Sequence, residues 1–378
     1  MPNSYFQKLI KTIFIAVNIL IAIIFFIGCY AKWFSSANSW LIGLFTLASF
    51  FLFIILLIFF IGWLLVRSAW SILFIITILL TWKPFTNIIP FRFTSSFNLQ
   101  KQTNALRVMS WNVESFEILK VKTHPEEKEK MIRLINQYQP DIACFQEMSS
   151  ADSSKTADYR LQDFIDSLHF PYHYYVYDVA EDYYPRTHTH YGKIIFSRLP
   201  IINKQTIKNP PGDYNYTFEY CDIKNGNDTI RVFNVHLQTM KFTDENYNYI
   251  DSFSLRTKRD LKESKGIIEK LKASFSKRHA QADFVKSEMN KSPYPIIICG
   301  DFNDVPNSYA YETIGDGLQN AFVKKGVGFG RSFSEILPTL RIDNIFVDPK
   351  FSVLQYTRIK KRLSDHYPVI TDLLFSAQ

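Results

Sequence analysis

The first ninety residues contain no Asp or Glu, and this absence limits what the chain can fold into more than any single motif does. Residues 13–29 are apolar except for Asn18, and residues 41–66 form a longer uncharged run. A backbone that crosses roughly 30 Å of hydrocarbon must satisfy its own hydrogen bonds, so such segments fold as helices. The two runs therefore read as spans at about residues 12–31 and 41–66. Residues 68–82 are a third apolar stretch, short for a span, with Arg67 and Lys83 as boundary residues and Ser, Thr and Trp suited to an interface. The sequence favours a third crossing here over an interfacial or re-entrant helix. Lys8, Lys11 and Arg67 then share one side and Lys32 lies on the other. Cationic residues accumulate on the cytoplasmic side, which puts the N-terminus there. Three crossings place the C-terminal domain outside the cytoplasm, as in a bacterial inner-membrane protein, whereas two would keep it inside. No small-x-small site follows the first run, so it reads as a retained helix and not a cleaved leader. Cys29 after Phe26-Ile27-Gly28 is read as an ordinary apolar-helix residue, not a lipidation site.

Beyond residue 90 the composition changes. The first ninety residues hold five basic residues, leaving 38 Lys+Arg against 35 Asp+Glu, a balance of +3, for residues 91–378. The basic character of the chain thus belongs mostly to its membrane segment, and a duplex-DNA binder with a broad basic face is not favoured. Residues 91–104 read as a linker and 105–378 as a separate domain. Strand candidates lie at 106–113, 141–148, 172–178, 193–198, 216–223, 229–238, 295–299, 342–347, 351–358 and 368–375. Helical patterns begin at Pro125 and Glu126, with Met131, Leu134, Ile135 and Tyr138 on one face, and fill roughly 255–290. Many strands with intermittent helices predict a mixed α/β or α+β domain with buried sheets. Cys144 and Cys299 sit inside apolar strand-like runs and read as core residues, not as a disulfide or zinc framework.

In IIICGDFNDVPNSYA, at 296–310, an apolar run delivers Asp301 and Asn303 into a loop two residues apart. Alone, the pair is more simply a local Asx turn. It is one of a series, however. Successive apolar strands end at Asn112, Glu147, His236, then Asp301 and Asn303, then Asp343, then Asp365 and His366. Each has a structural reading by itself, as a cap, a core histidine or a turn former. Together and in this order, residue types able to hold a hard cation or contact phosphate predict a pocket assembled from strand ends.

The blocks WN, QE, GKIIFSRLPI, NVHL, GDFND, IDNIF and SDHYPV, in that order over about residues 105–376, resemble the endonuclease/exonuclease/phosphatase superfamily, in particular a bacterial membrane-anchored branch of it. The resemblance implies a four-layer sandwich, two packed β-sheets flanked by helices, that hydrolyses phosphate esters with Mg²⁺, or Mn²⁺ in its place. It implies Glu147 as the main metal ligand, helped by Asn112 and Asp365. It implies Asp301 orienting or deprotonating the attacking water, Asn303 binding phosphate, and His366 facing the scissile group with Asp343 on its other ring nitrogen. His236 stands where abasic-site exonucleases of the family tend to carry Tyr, and where deoxyribonuclease- and sphingomyelinase-type members carry His. The favoured substrate is a lipid headgroup or small phosphorylated molecule beside the bilayer, and the alternative is DNA or RNA cut by a surface-anchored nuclease. The aromatic run HYYVYDVAEDYY at 173–184 reads either as a pocket wall or as an ordinary strand. Nothing in the sequence specifies an oligomeric state.

Overall fold

The computed structural model describes residues 4–34, 39–90, 92, 97–120, 126–151, 159–184, 187–208, 217–251, 258–336 and 339–376. Two apolar helices, α1 (Ser4–Cys29) and α3 (Trp40–Leu65), flank the short α2 (Ala31–Phe34). At 1.5 Å per residue, a helix of 26 residues is about 39 Å long, enough to cross a bilayer. The two run antiparallel, with Gly28 against Phe45 at one end and the Phe14 and Phe59 rings 6.0 Å apart further along. Gly28 is there because a Cβ would come within 2.7 Å of the Phe45 carbonyl oxygen, and Thr46 Oγ1 uses the close approach to donate to the Gly28 carbonyl at 3.0 Å.

The third apolar stretch is not one straight helix. It forms a 3₁₀ turn at Ala69–Ser71, then α4 (Ile72–Leu80), then α5 (Trp82–Ile88), with a bend of 76° between the last two segments. Pro84 accounts for the break, since it lacks the N–H that would bond the Leu80 carbonyl. Tyr30 Oη supplies the missing donor, at 2.6 Å from the Leu80 oxygen. Phe74 stacks on Phe60 at 4.7 Å and Phe85 lies 4.6 Å from Phe53, so the chain returns along α3 to the end where α1 finishes.

Two mixed six-stranded sheets follow. The first contains β1 (Leu106–Asn112), β2 (Ile142–Ala151), β3 (Tyr172–Tyr184), β4 (Thr187–Ser197), β11 (Phe351–Arg358) and β12 (Val369–Phe375), in the order β11-β12-β1-β2-β4-β3. The second contains β5 (Ile201–Lys208), β6 (Thr217–Asn225), β7 (Asp228–His236), β8 (Ile296–Asp301), β9 (Gln319–Asn320) and β10 (Asp343–Val347), in the order β5-β6-β7-β8-β10-β9. Their inner faces share one core, in which Val108, Ile142 and Cys144 meet Val232, Ile297 and Cys299. The cysteines are free and buried there. Outside the first sheet lie α6 (Glu127–Tyr138) and α7 (Leu161–Leu168), which bury Met131, Leu134, Ile135 and Phe164. Outside the second lie α9 (Lys258–Met289) and α10 (Tyr309–Gly315), through Ala282, Val285, Met289, Tyr311 and Ile314. The shorter α8 (Asp244–Asp251) and α11 (Ala321–Lys325) complete the described helices. This is the expected four-layer sandwich.

Several boundaries differ from expectation. β3 and β4 are longer than 172–178 and 193–198, because they continue past the core as a hairpin. β5 carries too few inward apolar residues to be read as a strand, being an edge that is mostly exposed. Pro125, predicted to open α6, lies outside the described residues.

The N-terminal apolar helices and the sandwich touch directly. Asn307 Nδ2 donates to the Pro84 carbonyl at 2.8 Å, and Asn87 Nδ2 donates to Asn307 Oδ1 at 3.0 Å and Glu312 Oε1 at 3.2 Å. Gly43 lies against the Phe275 ring, and Leu47 packs on Val305, Phe333, Leu340 and Ile342. Gly43, Leu47 and Phe50 fall at i, i+4 and i+7, so one face of the first turns of α3 meets the domain.

At the start of the sandwich, Arg107 is buried with all five guanidinium donors engaged. Nε and Nη2 reach Asp372 at 2.7 and 2.8 Å, and the remaining bonds go to the carbonyls of Asn98, Leu99 and Tyr138. Asp372→Ala would leave that charge without its carboxylate, a loss of about 3–5 kcal/mol. A fall in the thermal unfolding midpoint of the detergent-solubilised chain measures it, and an unchanged midpoint would contradict this account of the pair.

Candidate active site

Each sheet has a parallel pair at its centre, β1 with β2 and β7 with β8. Parallel neighbours run the same way, so Asn112, His236 and Asp301 at the ends of β1, β7 and β8, with Glu147 just past the last β1–β2 pair, emerge at one edge of the sandwich. Asp343 opens β10, which is antiparallel to β8 and pairs Asp343 with Asp301 across the ladder. Asp365 and His366 arrive on the segment before β12, where Ser364 Oγ donates to the Asn112 carbonyl at 2.9 Å and Trp111 Nε1 donates to the His366 carbonyl at 2.9 Å. All eight predicted residues thus converge.

Two backbone devices aim the side chains. Glu147 sits in an irregularity of the β2–β4 ladder with φ +51°, which turns it out of the strand's alternation. Gly300 has φ +150°, and a Cβ there would lie 1.8 Å from the Val235 carbonyl oxygen, so only glycine lets β8 approach β7 beside His236. The Asp301–Asn303 pair does form an Asx turn, with the Asn303 N–H donating to Asp301 Oδ1 at 2.8 Å and Asn303 at φ +50°. The structural reading of this motif and its place in the pocket therefore both hold.

Asn112 Nδ2 donates to Glu147 Oε1 at 2.9 Å and to Asp301 Oδ2 at 3.2 Å. His366 Nδ1 lies 2.9 Å from Asp343 Oδ2, and its Nε2 is 3.6 Å from Asp301 Oδ2. His236 Nε2 is 3.5 Å from Asp301 Oδ2 and 3.7 Å from Glu147 Oε1, and it is buried without a hydrogen-bond partner. These two carboxylates are the neighbours of His236 that the sequence did not disclose.

Burial would lower His366, but Asp343, Asp301 and Asp365 outweigh it and hold the imidazole well above its ordinary value, which favours the imidazolium. His236 is held well below by burial, with Lys193 and His366 adding to the effect, which favours the neutral ring. Burial pushes the Asp301 carboxyl up to about 7; His366 opposes the shift and Asp343 adds to it. Burial likewise pushes Asp365 up to about 7, against His366 and with Glu147 and Glu114 adding. Glu147 is raised by the dense surroundings, although its side chain is 45 % exposed and water at the mouth screens part of that push.

Glu114 belongs to this set and was missed from the sequence. Its Oε2 accepts from the Asp365 N–H at 3.1 Å. It stands two residues after Asn112, and that spacing was the available signal. Phe333 was missed too, and its ring centroid lies 4.9 Å from that of His366. Beneath the site, Gln146 Nε2 donates to Asn234 Oδ1 at 2.7 Å and Asn234 Nδ2 donates to Glu219 Oε1 at 2.9 Å, tying the two sheets together. Burial raises Glu219 well above the carboxylate range, so it is neutral within this network.

The donor set fits a hard divalent cation. Glu114, Glu147, Asp301, Asp343 and Asp365 surround a single imidazolium, an excess of carboxylate oxygen that an oxygen-loving cation would balance. Asp301, Asp343 and His366 offer ligand atoms within 4.8 Å of one another. There, however, His366 Nδ1 and Asp343 Oδ2 are engaged with each other, which leaves Glu147 and Asp365 at the mouth as the freer oxygen donors. Asn112 turns its Nδ2 toward the carboxylates while its Oδ1 accepts from the Glu114 N–H at 3.2 Å, so to act as an oxygen ligand it must turn its amide over.

The comparisons with known proteins agree with this geometry. A family model described as "Endonuclease/Exonuclease/phosphatase family" matches residues 109–366, and one described as a domain of unknown function matches residues 11–88. A comparison with curated proteins gave no match. Among solved structures, an endonuclease/exonuclease/phosphatase from Beutenbergia cavernae is similar at 16 % identity over 72 % of each chain, with a TM-score of 0.54. A protein of that family from Bacteroides thetaiotaomicron is similar at 18 % identity, covering 74 % of this chain and 100 % of its own, with a TM-score of 0.50. With its motifs, its two-sheet architecture and the family match over most of its length, this chain belongs to the endonuclease/exonuclease/phosphatase family of metal-dependent phosphoester hydrolases.

Proposed function

We propose that the chain is a membrane-anchored, Mg²⁺-dependent phosphoesterase acting on a lipid headgroup or another small phosphorylated molecule at the bilayer surface. The observation that carries this reading is the direct packing of the membrane helices on the catalytic shell. Leu47 of α3 shares a cluster with Phe333, and Phe333 lies against His366. Pro84 and Asn87 hold Asn307, four residues after Asn303. A site this close to a bilayer meets lipid phosphates at high local concentration. Beside Asp365 opens a cleft of about 760 Å³ whose walls include Glu114, Glu117, Glu127 and Glu335. Among its described lining residues the one cation, Arg362, is paired with Glu335. Such a wall repels the repeated phosphates of a nucleic-acid strand.

In this reading Glu147 and Asp365, with Asn112 once its amide is turned, hold the cation. When bound, it supplies Lewis-acid charge that offsets the negative phosphate. Asp301 is the group to orient and deprotonate water, since its raised carboxyl sits between both histidines. The His366 imidazolium, fixed by Asp343, presents positive charge toward the reacting phosphate. Neutral His236 offers a ring nitrogen for a hydrogen bond or proton transfer. Asn303 Nδ2 is engaged with the Leu237 carbonyl at 3.0 Å and Asp301 Oδ2 at 3.3 Å, so phosphate binding requires it to exchange partners.

The same packing supports a location for the domain. The short α2 that follows α1, the start of α3 and α5 all meet the sandwich, while the start of α1 lies at the opposite end of the bundle. An odd number of passes separates the N-terminus from the catalytic domain, which places the domain outside the cytoplasm if the N-terminus is inside.

Three outcomes are expected. Asp301→Asn and His366→Ala each lower kcat by about 100-fold or more while folding is retained, and Glu147→Gln raises the Mg²⁺ concentration needed for half-maximal rate. Full activity in a folded variant removes that residue from the mechanism. The full chain in mixed micelles with Mg²⁺ hydrolyses a phospholipid or sphingolipid; if it cleaves only DNA or RNA, and does so with a steep salt dependence, the nuclease reading replaces this one. Lys350→Cys, at an exposed turn, reacts with an impermeant maleimide in spheroplasts; labelling only after lysis would put the domain in the cytoplasm.

A further inference from the structure

His366 and Tyr367 are consecutive, yet they serve different spaces. His366 enters the catalytic pocket, whereas Tyr367 lines a separate cleft of about 710 Å³. Its walls are the 327–331 loop and the strand end that carries Tyr356 and Arg358. Three cations, Arg331, Arg358 and Lys360, face this space. Among the described residues, no carboxylate forms an ion pair with any of them. Arg358 instead lies over the Tyr367 ring at 5.1 Å and donates to the Arg331 carbonyl. Burial and the neighbouring Arg331 both lower its affinity for its proton. Behind the wall is Arg341, which is 1 % exposed and also without a carboxylate, with its guanidinium 4.0 Å over the Phe322 ring. It donates to the Phe329 carbonyl at 3.1 Å and to the carbonyl of Asn87 in α5, while its Nε has no partner. Arg331 is held by the carbonyls of Phe333, Ser334 and Ile336 and Lys360 is exposed, so an anion entering the cleft would meet Arg358 and Lys360 first.

The cleft also has a fixed relation to the bilayer. Phe329, at the tip of the loop and 40 % exposed, lies 4.9 Å from Phe50 of α3. Beyond Phe50 the helix exposes Phe51, Ile54, Ile55 and Ile58, the apolar surface expected to face lipid. The loop tip therefore sits where α3 leaves the domain, with an aromatic ring toward the apolar side and basic residues behind it. We propose that this cleft is a second binding site, distinct from the catalytic pocket, that takes the phosphate-bearing headgroup of an anionic membrane phospholipid. Basic residues at a membrane surface attract anionic headgroups, and the aromatic rim sits at the depth where rings favour the interface.

The test uses the full-length protein, delipidated in detergent with EDTA present, and native mass spectrometry after addition of phosphatidylglycerol, phosphatidylcholine, inorganic phosphate or a short DNA duplex. The wild type is expected to retain one phosphatidylglycerol with a preference of about tenfold over phosphatidylcholine. The R358Q/K360Q double variant should lose that retention by about fivefold or more, R358K/K360R should keep it, and Asp301→Asn should bind as the wild type does. Lys360→Glu alone, at an exposed side chain, covers the case in which the double variant fails to fold, and it should weaken retention in the same direction. Equal retention in wild type and charge-loss variants overturns the proposal, as does loss of retention in Asp301→Asn. Retention of phosphatidylcholine equal to that of phosphatidylglycerol, binding of inorganic phosphate as tight as that of the lipid, or displacement of the lipid by DNA overturns it as well.

Discussion

The structure depends on the two parallel strand pairs at the centres of its sheets. Parallel neighbours end together, and when two such sheets pack face to face, four strand ends are forced to one edge. Asn112, His236 and Asp301 occupy three of those ends, and Glu147 follows the point where β2 stops pairing with β1. Asp343 joins them because β10 runs antiparallel to β8 and begins where β8 finishes. Much of the pocket is therefore a result of topology, with Asn303, Asp365 and His366 supplied by the segments after β8 and before β12.

Gathering carboxylates in this way has an electrostatic cost, which the fold meets by dividing roles. Three carboxylates facing His366 raise it and favour its charged form, whereas burial lowers His236, in the same pocket, and favours its neutral form. Asp301 lies between them with its carboxyl raised to about 7. One imidazolium does not balance five carboxylates, and a divalent cation completes the set. The Gln146–Asn234–Glu219 network below keeps the two sheets from sliding, so that these distances persist.

The N-terminal apolar helices, long enough to cross a membrane, are part of this arrangement and not a remote tether. Pro84 breaks the third apolar stretch, Tyr30 fills the hydrogen bond that is lost, and the freed turn reaches the Asn307 loop next to the catalytic residues. The first turns of α3 pack under Phe333 and Phe329, one beside the catalytic histidine and the other at the rim of the basic cleft. The domain is in this way held against the end of the apolar helices.

Much of this was legible in the order of the residues. Long uncharged runs admit only helices, alternating and buried strands show in their composition, and the eight candidate residues stand at strand ends where their types are recognisable. β5 was not legible because an exposed edge strand has no inward apolar pattern, and the partners of His236 were not because Glu147 and Asp301 are distant in sequence. The amide orientation of Asn112, the opposite shifts of the two histidines and the inclusion of Glu114 depend on distances of a few ångströms. Pro84 was visible in the sequence, but its effect was not, since the bend and the return along α3 arise from contacts with Tyr30, Phe53 and Asn307. Sequence alone determined which segments are apolar enough for a membrane and which residues could do phosphate chemistry, because those are properties of side-chain type and local pattern. Only the tertiary structure decided how membrane segment and site meet, and which charges stay unbalanced, because both follow from packing between residues far apart in the chain.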